Sequence, residues 1–288
     1  MKIRKYLKRS KPNRSRVGDA GIYLLLIFFG LFMAFPLVYA INGAFKPLDE
    51  IFVYPPRLFV ENPTLNNFQD LFIIMGKSWV PFSRYLFNTV FITAAGTAGH
   101  LLIASMGAYV LAKYDFPGGK TFFRIVVTAL MFNGYVTAIP NYLLMSRIGW
   151  VDTVWSIVIP AFAAPMGLFL MKQYMEGIPD ALLEAAKIDG AREWRVFSTI
   201  VMPMVKPAWL TLIILSVQNL WNTKASNFIY SEELKTLPYA LQQIISGGVA
   251  RAGVGAAVTL VMMIVPISIF IISESNIIET MASSGIKD

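Results

Sequence analysis

The segment EAAKIDGAREWRVFSTIVMPMVKP, residues 184–207, packs acids and bases closely together in a chain that elsewhere goes long distances without either. On its N-terminal side, residues 153–171 contain no Asp, Glu, Lys or Arg, and on its C-terminal side neither do residues 207–223. The same pattern recurs farther out, with charge-free runs at 20–45, 85–112, 125–146 and 252–273. Each run is near or above the roughly 17 residues that a helix needs to cross a bilayer. Six runs predict six transmembrane helices. Helices are expected because lipid offers no partner to a backbone N–H or C=O, so each segment must satisfy its own. A β-barrel would instead show short alternating strands. The expected fold class is an all-α polytopic membrane protein.

Composition supports this reading. Of 288 residues, 56% are hydrophobic and only 15% charged, against about 25% charged in soluble domains. The mean hydropathy is +0.58. The net charge is +8, and its placement decides what it means. Lys2, Arg4, Lys5, Lys8, Arg9, Lys11, Arg14 and Arg16 all precede the first run, a strong positive-inside flank. With that end inside, 17 of the 25 Lys and Arg fall on the inner side and 8 on the outer. Both termini are therefore expected in the cytoplasm, with residues 1–18 as a basic cytoplasmic N-terminus and 19–288 as one transmembrane domain. The basic run lacks interleaved aromatics and abuts a span, which argues against nucleic acid as a partner and for the lipid bilayer. The first run is too long for the apolar core of a cleaved signal peptide. With no cysteine, disulfides and thiolate metal sites are excluded.

The charged segment reads as a hairpin on the inner side, residues 178–203. Pro179 and Asp180 suit a helix start. Leu182, Leu183, Ala186 and Ala185 give an apolar face, and Gly190 suits a C-terminal stop. Trp194, Phe197, Ile200 and Val201 recur at helical spacing. Five acids (Glu176, Asp180, Glu184, Asp189, Glu193) balance five bases (Lys172, Lys187, Arg192, Arg195, Lys206). Chemistry alone leaves two readings: an amphipathic hairpin at the membrane interface, or a docking piece for a protein partner. The balanced rim around Ala and Gly favours the second.

Here the chain resembles a known family. Glu184-Ala185-Ala186, three residues, Gly190, nine residues, Ile200, one residue, Met202-Pro203 is similar to the EAA motif of ABC-importer permeases, with Met202 where the motif has Leu. The stretches FKPLDEIFVYPPRLFVENPTLNNF, YLFNTVFITAAGT, YVLAKYDFPGGK, IPNYLLMSRIGWVDT and FIYSEELKTLPYALQQI extend the resemblance to MalG-type carbohydrate permeases over nearly the whole chain. The tail IIETMASSGIKD resembles the family only loosely. The resemblance implies a MetI-like, type I importer fold in a bacterial inner or plasma membrane. It implies coupling through Glu184, Ala185, Ala186, Gly190, Ile200 and Pro203. It also implies a second homologous permease, two ATPase subunits, an extracytoplasmic solute-binding protein and a carbohydrate substrate as partners. ATP and Mg would sit on the ATPase subunits, leaving this chain without a cofactor. Two fragments, Gly76-Lys77-Ser78 and Gly119-Lys120-Thr121, mimic the end of a phosphate-binding loop. They have Leu71 and Tyr114 where that loop needs its first glycine.

Polar residues inside spans are costly and so informative. Gln218, Asn219, Trp221 and Asn222 end the fifth run, and Asn133, Tyr135 and Asn141 interrupt the third. Amides match sugar hydroxyls and rings stack on sugar C–H faces, which makes these a candidate substrate pathway. The same residue types also bond helix to helix. His100 in the second run is read as a packed or water-contacting helix residue. The outer loop 224–251 is long for a connector. It is expected either to reach a binding protein through a tip at Ser246, Gly247, Gly248 and Val249, or to cap the bundle. No paired carboxylates, Ser/His/Asp set or metal spacing points to catalysis. Import of a different solute, or a non-transporting scaffold or sensor, remains open at this stage.

Overall fold

The computed structural model describes residues 16–132, 134–225, 227–248 and 251–284. Asn133 and Val249 lie outside the described residues. All regular structure among the described residues is helical. In chain order the elements are α1 (Arg16–Phe45), α2 (Leu48–Ile51), α3 (Asn66–Gly76), α4 (Phe82–Lys113), α5 (Gly119–Ala129), α6 (Gly134–Arg147), α7 (Trp155–Phe162), α8 (Pro165–Glu176), α9 (Asp180–Ile188), α10 (Glu193–Arg195), a π-turn (Val196–Val201), α11 (Met202–Met204), α12 (Lys206–Trp221), a 3-10 turn (Glu232–Leu234), α13 (Leu237–Ile245) and α14 (Ala252–Ser284).

Four stretches are long and apolar enough to span a membrane: Gly18–Phe45, Phe82–Lys113, Trp155–Glu176 and Ala252–Glu274. The other two charge-free runs belong to bent pairs. Helices α5 and α6 meet at 112°, and Glu193–Met204 meets α12 at 80°. The spans therefore number six when each bent pair is one crossing.

The second bend has a local cause. Pro207 has no N–H, and its ring would collide with the carbonyl of Pro203 if the helix ran on straight. The chain bends at Val205, whose amide still reaches the Val201 carbonyl at 3.1 Å. The Met202 carbonyl is taken by the Trp209 indole N–H at 3.1 Å. The residues at helical spacing from Trp194 to Val201 thus form, with α11, a cross-arm that leads directly into α12.

Helix α4 is the central post. It packs against α7, α8 and α12, while α1 lies against α14 and α14 against α12. One core cluster joins α4, α8 and α12 to the hairpin through Tyr109, Met171, Met175, Leu183, Val196, Phe197 and Leu212. Another lies at the opposite end of α4, where Tyr85, Leu237, Leu241 and Val258 meet.

Small residues on α4 set how closely its neighbours approach. A Cβ on Gly99 would lie 2.1 Å from the Phe162 ring, and one on Gly167 of α8 would lie 2.2 Å from His100 Nε2. His100 is buried and bridges three elements. Its Nε2–H donates to the carbonyl of Ala164, in the break between α7 and α8, at 3.1 Å. Its Nδ1 accordingly accepts from the Ser216 hydroxyl of α12 at 2.8 Å. The histidine is packed, the first of the two readings that its sequence context left open.

Overpacking a filled contact costs about 1–3 kcal/mol. Gly99→Ala and Gly167→Ala should each lower the thermal midpoint of the purified subunit. Gly30→Ala, on α1 where nothing lies within 4 Å, should leave it unchanged. Fluorescence-detected melting in lipid nanodiscs would measure all three.

Candidate functional site: the hairpin, the groove and the opposite loop

The hairpin is built from its turn upward. Helix α9 starts at Asp180 after Pro179, and Gly190 takes a left-handed φ of +80°. The Gly190 N–H donates to the Lys187 carbonyl at 3.0 Å, and the Ala191 N–H to the Ala186 carbonyl at 2.9 Å. Together these bonds form the Schellman stop that satisfies the last carbonyls of a helix. A Cβ in this conformation costs roughly 1–2 kcal/mol, which explains the glycine.

The apolar face divides. Leu183 is buried and Ala186 packs beside it. Leu182 and Ala185 point outward with Glu184 and are exposed. Ile188 is 87% exposed and Trp194 62%, so the outward surface carries a second apolar patch.

The charges divide too. Lys113 pairs with Asp180 at 2.7 Å and also donates to the Ile178 carbonyl. Lys187 pairs with Glu193 at 2.7 Å. Glu193 also accepts from the hydroxyls of Tyr109 and Tyr114. The bonds from Lys187, Tyr114 and Tyr109 hold its carboxyl below the usual glutamate range. Lys172 pairs with Glu176 and lies 4.0 Å from the Phe123 ring centroid. Glu184, Asp189, Arg192 and Arg195 make no ion pair among the described residues. One set of charges clamps the hairpin to α4 and the other faces outward beside Ile188 and Trp194. Of the remaining motif residues, Ile200 packs on the core and Pro203 is exposed at the bend.

The pathway residues of α12 separate three ways. Gln218 and Asn222, one helical turn apart, line a groove of about 750 Å³ whose other walls include Leu37, Gln242, Met262 and Pro266. Asn219 lines a smaller cavity of about 130 Å³ with His100 and Ser216. Trp221 is buried, 3% exposed, and its indole N–H donates to the Met262 carbonyl at 3.1 Å. That carbonyl would normally pair with the amide of residue 266, which is proline and has none. Within this chain Trp221 repairs α14. Tyr135, 89% exposed, and Asn141, also exposed, sit on α6 and do not line the groove.

The loop 224–251 is largely ordered against the bundle. Leu237, Pro238, Ala240, Leu241 and Ile244 of α13 are buried. Ser246, Gly247 and Gly248 form an exposed turn after it, with Gly248 at φ +90°. Sequence reasoning missed what holds this loop. Asn88 of α4 donates to the carbonyls of Glu233 (2.8 Å) and Lys235 (3.0 Å). Thr89 accepts from the Leu237 N–H at 2.7 Å. Both side chains are buried, and the adjacent amide and hydroxyl near the start of the charge-free run 85–112 were the available signal.

These features meet their counterparts in known proteins. The sequence signature of the binding-protein-dependent transport system inner membrane component matches residues 100–280, more than half of the chain, and the protein belongs to that family. The arabinooligosaccharides transport system permease protein AraQ of Halalkalibacterium halodurans is 32% identical over 269 residues, spanning 90% of this chain and 93% of its own. The polygalacturonan/rhamnogalacturonan transport system permease protein YtcP of Bacillus subtilis is 28% identical over 234 residues, spanning 81% of this chain and 79% of its own. Among solved structures, a chain of a bacterial ABC transporter involved in the import of the acidic polysaccharide alginate has the same fold. Its TM-score is 0.76 at 22% identity, covering 92% of this chain and 99% of that one. The protein is thus a transport component of the inner membrane, and the expected permease fold is the one observed.

The hairpin geometry sets two expectations. Gly190→Ala should loosen the turn, seen as faster limited proteolysis, while Gly190→Asn, which tolerates the left-handed region, should loosen it less. Because its carboxyl is depressed, Glu193 contributes its full clamp above the ordinary glutamate range and loses it as pH falls through its own lower value. Proteolysis of the wild type should rise only in acid. Glu193→Gln should be cleaved faster at neutral pH and show less change on acidification.

Proposed function

We propose that this chain is one of two permease subunits of a carbohydrate importer. Its hairpin takes the stroke of a separate ATPase subunit, and its groove borders the path of a sugar or oligosaccharide. The observation that carries the coupling role is the sorting of charge on the hairpin. An interfacial hairpin would bury its apolar patch in lipid and present cations. This one holds its internal pairs against α4 and offers Glu184, Asp189, Arg192 and Arg195 around Ala185, Ile188 and Trp194. Unpaired charges of both signs around an apolar centre suit a protein groove.

The carbohydrate reading rests on relatives named for arabinooligosaccharides and polygalacturonan and on the amides of Gln218 and Asn222 in the groove. ATP and Mg belong to the partner ATPases in this reading, and an extracytoplasmic binding protein delivers the sugar. The basic asymmetry supports placing the hairpin and both termini in the cytoplasm. The exposed turn at 246–248 is the loop's contact for the binding protein, and buried α13 supplies the cap beneath it.

The test is a reconstituted complex with its partner permease, two ATPases and binding protein. Glu184→Lys reverses a charge on the outward face and removes none of the ion pairs of the clamp. Folding and insertion should persist, while sugar moved per ATP hydrolysed falls severalfold. Full transport per ATP in that variant would sink the coupling assignment. A single cysteine at position 184 of this cysteine-free chain should react with a membrane-impermeant maleimide only in inverted vesicles.

A further inference from the structure

Asp152 lies in the corner between α6 and α7 with φ +61°, a left-handed conformation that aspartate tolerates better than most residues because its side chain can bond locally. Its own N–H donates to the Phe228 carbonyl at 2.7 Å. Its Oδ1 accepts from the backbone N–H of Tyr230 at 2.9 Å and of Ser231 at 2.8 Å. Its Oδ2 accepts from the Ser231 hydroxyl. Beside these bonds the Tyr230 hydroxyl reaches the Tyr142 hydroxyl of α6 at 3.2 Å, and the Tyr142 and Phe228 rings lie 6.3 Å apart.

The segment held this way, residues 228–235, is a strap with a second anchorage. Beyond Ser231 it runs to the N-terminal end of α4. There Arg84 Nε donates to the Glu233 carbonyl at 3.1 Å, the Tyr85 hydroxyl donates to Glu232 at 2.8 Å, and Asn88 and Thr89 make the bonds described above. Ile229, between Phe228 and Tyr230, is buried with Ile157 and Val158 of α7, so the two anchorages differ at the hydrogen-bonded residues themselves. Tyr85, Asn88 and Thr89 are buried, whereas Tyr230 is 56% exposed and Ser231 is exposed.

We propose that Asp152 is a positioning residue for transport. It clasps the exposed part of the strap, Tyr230 and Ser231, to the α6–α7 corner, so that the strap follows that corner while the clasp is closed and is free to shift against it when the clasp opens. The buried anchorage is the permanent end and the aspartate is the releasable one. The transport half of this inference rests on the importer reading above; the clasp itself does not. The Ser231 hydroxyl and the strap amides hold the Asp152 carboxyl below the usual aspartate range. The charged and titratable groups facing it are Lys235 and the phenols of Tyr142 and Tyr230. The clasp therefore holds through neutral and mildly acidic pH and releases only as pH falls through that depressed value.

Hydrogen–deuterium exchange on the assembled transporter in lipid reads the clasp directly. In Asp152→Gly, which keeps the backbone turn but removes the carboxylate, the Tyr230 and Ser231 amides should exchange about tenfold faster or more, as expected for loss of charge-assisted bonds. The Leu237 amide, bonded to Thr89, should keep its rate. Solute moved per ATP should fall severalfold. Asp152→Asn should restore part of the protection, because its Oδ1 still accepts from both amides, and should recover part of the transport. Unchanged exchange at Tyr230 and Ser231 would overturn the clasp. Faster exchange with normal transport would overturn the positioning role. Loosening of Leu237 along with them would overturn the two-ended strap. A wild-type complex that moves no carbohydrate would fail the importer reading, while the exchange comparison and the transport of whichever solute its binding protein delivers would still decide the inference.

Discussion

A helix that breaks inside a membrane leaves carbonyls that lipid cannot satisfy, each at a cost of several kcal/mol. This chain breaks or bends its spans repeatedly, and the fold depends on side chains that reach the freed groups. His100 takes the Ala164 carbonyl between α7 and α8. Trp221 takes the Met262 carbonyl that Pro266 abandons. Trp209 takes the Met202 carbonyl at the bend before α12. At the end of α1, buried Asn67 does the same for Ala44 and Lys46. In each case a donor on one helix mends the backbone of another segment, so the repair also fixes how the elements pack.

Much of this was legible in the sequence because it rests on one-dimensional signals. A charge-free run is a local property, and among the described residues each of the six runs falls mostly on helix. The Gly190 stop follows from steric preference at a single residue, and the EAA spacing marks the hairpin outright. What was not legible depends on which elements meet. The 112° bend falls within a run that hydropathy treats as uniform, and the 80° bend at Val205 sets an angle that charge and hydropathy do not encode. The division of the hairpin's charges into clamping and outward sets needs the position of Lys113, Tyr109 and Tyr114, which the chain supplies some 70 to 80 residues earlier. Trp221 looked like a sugar-stacking ring beside Gln218 and Asn222. Only its depth and its bond to α14 show that, within this chain, it serves the backbone. Asp152 has no neighbouring residue in sequence to mark it, since its partners lie in the strap almost eighty residues on.

The two ends of the bundle differ in the polar contacts that add to their packing. At the hairpin end, buried apolar side chains and ion pairs make α9, the cross-arm and the foot of α4 one block. At the other end, α13 packs its apolar face into a second buried cluster with Tyr85 and Val258, and hydrogen bonds to main-chain groups of the strap add to that packing. Helices α4 and α12 run between the two ends.

The 80° bend at Val205 has a mechanical meaning. The arm from Glu193 to Met204 stands nearly square to α12, and at about 1.5 Å per residue it is roughly 18 Å long. An arm set across a shaft is a crank. A sideways push at its tip would turn α12 about its own long axis rather than drive it up and down like a piston. Gln218 and Asn222 lie on one flank of that shaft, Asn219 on the next and Trp221 on the buried side. A modest rotation would slide Gln218 and Asn222 past Met262 and Pro266 in the groove's other wall, changing which side chains meet there without any helix leaving its place in the bundle.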